Sequence, residues 1–145
     1  MSRIKTVTVE AQQINGYKIE TKAGNHTLYI DQPAASGGSD AGPTPLEYLF
    51  MSLAGCIITA GYLIAKQRNL PVRSISVKVD GDLDLDYFLG KTKEGRAGFT
   101  SIRVHTIIDA DMTIPEKEQF LHEIDSRCPI SDNLAQISSL EFSVE

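Results

Sequence analysis

Tryptophan is absent from this sequence, cysteine occurs only twice, and positive charge is in the minority. Fourteen Lys and Arg face 19 Asp and Glu, leaving a net charge of −5. That balance argues against nucleic acid as a partner, because phosphate binding needs a basic face. No unbroken run of about 18 apolar residues occurs, which argues against a membrane span. The opening MSRIKTVTVEAQ holds no hydrophobic signal region, so a cytoplasmic protein is expected, with its two thiols reduced. His26, His105, His122 and the two cysteines show no CxxC or HExxH spacing, so neither a metal nor another cofactor is expected. The segment GGSD follows no strand that opens a helix, which removes a phosphate-cradling loop. Ser52, Ser101 and Ser131 form no nucleophile elbow.

What is present is ordinary globular material, 41% hydrophobic and 23% charged over 145 residues. One domain, residues 1–145, is expected. Residues 4–31 alternate polar and apolar, with breaks at Asn15-Gly16 and Gly24-Asn25, and predict a three-stranded antiparallel meander. PAASGGSDAGP, residues 33–43, reads as a loop, either a plain connector or a mobile element beside a site. A long helix follows, from Pro45 to Arg68, with Thr44 as N-cap and Glu47 completing a capping box. It is apolar over more than one stripe, which fits a domain centre or half of a subunit interface. Alternation predicts strands from Val72 to Leu85 and from Gly98 to Ala110. Thr113 to Glu116 opens a helix to Arg127, ISDNLAQI restarts one after Cys128-Pro129, and LEFSVE closes the chain as a strand. Antiparallel strands around a long central helix give an α+β fold.

The two cysteines sit differently. Cys56 lies on an apolar helical stripe with Leu49, Leu53, Ala60 and Leu63, where a free cysteine ordinarily behaves as a small hydrophobe. Cys128 stands where one helix ends and the next begins, and backbone N–H groups there, with Arg127 beside it, are expected to favour the thiolate. Either thiol can be read as filler or as a reactive group. The acidic run Asp80 to Asp86 puts a carboxylate at every second position, which reads as a solvated strand face, with a cation-holding face as the alternative.

The order of parts resembles the OsmC/Ohr family, the osmotically induced and organic hydroperoxide resistance proteins, over essentially the whole chain. The resemblance is carried by PTPLEYLFMSLAGC on the long helix and by CPISDNL after the second one. It implies an intertwined homodimer and a thiol-dependent peroxidase that reduces organic hydroperoxides. It places Cys56 as the peroxidatic cysteine, Cys128 as the resolving cysteine and Glu47 as the helix-start glutamate. It further implies a Cys56 sulfenic acid, condensation with Cys128 to a disulfide, and reduction by an external dithiol. Two features depart from the peroxidases of the family. The first hairpin, AQQINGYKIETKAG, offers Lys18 and Lys22 where they carry an arginine. Glu47 stands nine positions before Cys56 instead of ten, on the far side of a straight helix. A divergent OsmC-like branch is therefore expected. Its alternatives are a non-catalytic protein that binds a small hydrophobic ligand, and a redox sensor.

Overall fold

The computed structural model describes residues 2–145. The chain forms two compact units, one ending at Leu49 and one spanning Phe50–Glu145.

In the first unit, β1 (Glu10–Asn15), β2 (Lys18–Ala23) and β3 (His26–Ile30) form an antiparallel sheet in the order β1-β2-β3. The expected meander is there, but its first strand starts at Glu10, and Ile4, Val7 and Val9 ahead of it are exposed. Both hairpins turn on a glycine with positive φ, Gly16 at 57° and Gly24 at 59°, a conformation that L side chains avoid. The segment after β3 is held from within. The Asp31 carboxylate accepts from Gln32 N (2.7 Å), Ser39 N (3.2 Å), Ser39 Oγ (2.6 Å) and Ala41 N (3.0 Å). Asp31 N also donates to Pro43 O at 3.2 Å. A Gly-rich stretch that composition leaves open as a mobile element is thereby closed around one buried carboxylate.

Helix α1 runs Pro45–Arg68, as its capping residues predict. Glu47 N donates to Thr44 Oγ1 at 3.2 Å, and Thr44 N donates to Glu47 Oε1 at 3.1 Å. Asn69 ends the helix in the left-handed region, at φ 55°. By length and composition α1 is apolar enough to cross a membrane, which the lack of an unbroken apolar run does not convey. Leu53, Ile57, Gly61, Ile64 and Ala65 form its buried stripe.

In the second unit, β4 (Val72–Asp82) pairs antiparallel with β5 (Ser101–Ala110). Helices α2 (Leu85–Phe88), α3 (Ile114–Arg127) and α4 (Pro129–Ala135) complete the elements. The buried stripe of α1 joins Ile108, Ala110, Phe120, Ile124 and Cys128 in one core. The approach is close: a Cβ on Gly61 would stand 2.4 Å from Ile75 Cδ1 and 3.1 Å from Ile124 Cδ1. The expected α+β class with antiparallel sheets and a long helix is what the chain adopts.

Two expectations fail here. The acidic run is not one strand face. Asp80 and Asp82 bind Arg103, whereas Asp84 accepts from Asp86 N and caps α2, which turns the chain out of β4. LEFSVE is not a strand: residues 137–145 carry no regular structure, and among the described residues no strand pairs with them.

Candidate functional site

The two thiols meet. Helix α1 carries Cys56 three residues beyond Leu53, packed against the core and half-buried. Cys128 is the residue between α3 and α4, serving as C-cap of one and N-cap of the other. The capping box of Thr113 and Glu116 fixes the start of α3, and Phe120 and Ile124 seat it on the core. Pro129 then forces a break, so the residue before it swings out of helical geometry and carries its side chain inward. Cys128 ends 1% exposed. Both sulfurs are free, and the two thiols are near enough for Cys56 to influence the titration of Cys128. Cys128 Sγ also accepts from Ser131 N at 3.4 Å.

The expected acidification of Cys128 does not occur. Its pKa is raised above the ordinary thiol value, first by burial and then by the hydrogen bond to Cys56, against smaller opposite effects of the Ser131 and Ile130 N–H groups. Arg127 does not offset this, because its guanidinium is turned to Gln67 Oε1 at 3.1 Å.

Glu47 is engaged at the start of α1 by its reciprocal bonds with Thr44. The hairpin lysines that stand in place of the family's arginine have partners within their own unit. Lys18 Nζ lies 5.4 Å from the centre of the Tyr29 ring, and Lys22 Nζ lies 4.0 Å from Glu20. Asp31 is the buried functional group that sequence reasoning missed. Two of its partner residues, Ser39 and Ala41, are eight and ten positions away, and no periodic pattern marks it. Among the described residues no group of three or more His, Cys, Asp or Glu side chains is placed to hold a metal ion. A cleft of about 270 Å³ opens between the end of α1 and the start of α3, over Leu70, Met112 and Phe120 with Arg68 and Glu116 at its edge. Neither cysteine lines it.

Solved structures share this fold. An OsmC-like protein from Mycoplasma pneumoniae superposes with a TM-score of 0.80 at 19% identity, over 92% of this chain and 89% of its own. An organic hydroperoxide resistance protein OsmC from Legionella pneumophila does so with a TM-score of 0.68 at 20% identity, over 92% and 91%. An organic hydroperoxide resistance protein from Elizabethkingia anophelis, with thiocyanate bound, reaches 0.63 at 21% identity, over 91% and 89%. No curated protein matches this chain by sequence. These likenesses establish the fold. A family model of OsmC-like proteins matches residues 37–143, the stretch that holds both cysteines and the long helix between the sheets in chain order. On that match the chain belongs to the OsmC-like protein family.

Proposed function

We propose that this protein is a cytoplasmic thiol peroxidase that reduces organic hydroperoxides through Cys56 and Cys128. The observation that carries the reading is the asymmetry of two neighbouring thiols on one core, one half-buried and one sealed. A peroxide arriving from solvent meets Cys56 first. Its thiolate attacks the distal oxygen, the alcohol leaves, and a sulfenic acid remains on Cys56. Cys128, already adjacent, condenses with it to a disulfide, and an external dithiol restores both thiols by exchange. The apolar core against which Cys56 packs suits an organic peroxide better than hydrogen peroxide. Family membership and the names borne by the Legionella and Elizabethkingia proteins support the same reaction class.

The working unit is a homodimer of a single domain, residues 1–145. Solved relatives cover about nine-tenths of the chain and of themselves, which supports one domain. The second copy is supported by large apolar side chains left in water. Met51, Ile58 and Tyr62 form an uncovered face of α1, and Leu140, Phe142 and Val144 are 79–95% exposed at alternate positions. Glu47 has a structural role at the helix cap, and its catalytic role rests on the family resemblance alone.

The test is consumption of cumene hydroperoxide by purified protein with dihydrolipoamide as reductant. Multiple turnover is expected, absent in Cys56→Ser. In Cys128→Ser, Cys56 should oxidise without forming an intramolecular disulfide. No turnover, with both thiols still reduced under excess peroxide, would replace this reading with a protein that binds a small hydrophobic ligand.

A further inference from the structure

Helical structure breaks at Cys128-Pro129, and one serine just beyond the break is held from two directions. Ser131 is the third residue of α4, half-buried, and its N–H donates to Cys128 Sγ at 3.4 Å. Its hydroxyl donates to Asp125 Oδ1, a carboxylate in the last turn of α3. Together the two bonds make a clasp across the break, from Asp125 through Ser131 to the sulfur of Cys128. Pro129 has no N–H, so the helical ladder cannot run on through this point. Two backbone bonds remain at Cys128 itself. Its N–H donates to Asp125 O at 3.2 Å, and its carbonyl accepts from Asp132 N at 3.0 Å. They fix the main chain of Cys128 but leave its χ1 a choice among staggered wells. The bond from Ser131 N selects one of them, and Asp125 fixes where Ser131 stands. Burial pushes the Cys128 thiol pKa up, and the Ser131 N–H pulls it the other way.

We propose that Asp125 and Ser131 are positioning residues for the resolving step, an inference that rests on the peroxidase reading of the two cysteines. Asp125 holds Ser131, and Ser131 holds the sulfur of Cys128 in the rotamer from which it condenses with oxidised Cys56. In that step the Cys128 thiol gives up its proton, and its sulfur attacks the sulfenic sulfur of Cys56. An S–S bond forms and the S–O bond breaks, its electron pair leaving with hydroxide. The departing hydroxide takes the Cys128 proton, so one water is released. The Ser131 N–H donates to the attacking sulfur, where negative charge passes during the step. Neither residue takes part in the attack of Cys56 on the peroxide, so the clasp acts on the second chemical step and not on the first. Asp125 is exposed, so its carboxylate stays hydrated when Ser131 is removed, and loss of the clasp spares the core.

The experiment is a single turnover without reductant, with one equivalent of cumene hydroperoxide. It compares wild type with Ser131→Ala, Ser131→Thr, Asp125→Ala and the double variant Asp125→Ala with Ser131→Ala. Cys56 sulfenic acid is trapped by a dimedone probe, and the Cys56–Cys128 disulfide is followed by mass spectrometry without reduction. Circular dichroism is the check of folding. Ser131→Ala should oxidise at Cys56 at the wild-type rate but form the disulfide about tenfold more slowly, so that the dimedone adduct accumulates. Ser131→Thr keeps a hydroxyl for Asp125 and should form the disulfide at nearly the wild-type rate. Asp125→Ala should match Ser131→Ala, and the double variant should be no slower than either, because all three remove one clasp. If Ser131→Ala does not fold, Asp125→Ala carries the same test. Disulfide formation at the wild-type rate in the folded alanine variants would overturn the proposal. Equal slowing in Ser131→Thr, slowing of both chemical steps alike, or additive losses in the double variant would also overturn it. Failure of the peroxidase reading looks different: wild type itself would leave Cys56 unoxidised under excess peroxide.

Discussion

Asp31 is 1% exposed and charged, and its four hydrogen bonds make that tolerable. The Ser39 hydroxyl, then the Ala41 N–H, hold its pKa down to about 2, against the opposing effect of burial. An unfolded aspartate takes up its proton near pH 3.9. The unfolded state therefore binds the proton first as pH falls, so this contribution is whole above about pH 4 and is lost as pH drops through 2. Urea midpoints measured between pH 2 and pH 5 should fall with acid in wild type. Asp31→Asn should start lower and fall less steeply, and a variant that parallels wild type throughout would show that the carboxylate does not hold the segment. Cys128 obeys the opposite sign. Burial raises its pKa and also seals it from reagent, so iodoacetamide should label the half-buried Cys56 well before Cys128 in the native protein, with equal labelling in urea.

Elements were legible where their signals are local. Thr44 with Glu47 and Thr113 with Glu116 each place a hydroxyl and a carboxylate three residues apart, and both capping boxes form as written. Thr113→Ala should destabilise the protein by about 1 kcal/mol, read as a lower urea midpoint with unchanged slope. Alternation misled at the end of β4. DLDLD fits a strand, but Asp84 can bond the backbone two residues on, and that turn wins. The meeting of Cys56 with Cys128 was not readable from spacing, because it depends on how α1 and α3 pack around Gly61. A valine there has no room: Gly61→Val should cost about 1–3 kcal/mol and disturb the thiol pair with it.

The whole molecule has an excess of negative charge, yet its second unit spends Arg73 and Arg103 in exposed carboxylate clusters on the β4–β5 pair. Such pairs add little stability and weaken with salt. Apolar exposure is the stronger feature at this scale. If the α1 face and the C-terminal residues meet a second copy, light scattering after gel filtration should give twice the chain mass. Phe142→Ser combined with Leu140→Ser should shift the population toward monomer. A wild-type monomer at micromolar concentration would remove the dimer. The sequence showed the excess of apolar residues on α1. It did not show which of them the chain covers for itself, since that depends on β4, β5 and α3 lying against a single stripe.

The closed segment after β3 changes what a protease can do. Residues 33–43 have the Gly, Ser and Ala content of an easily nicked linker, and subtilisin needs an extended stretch of backbone to cleave. With Ser39 and Ala41 drawn onto Asp31, that stretch is not presented. Cleavage must wait for the carboxylate to let go, so the nicking rate at neutral pH reports how often a single side chain releases its loop.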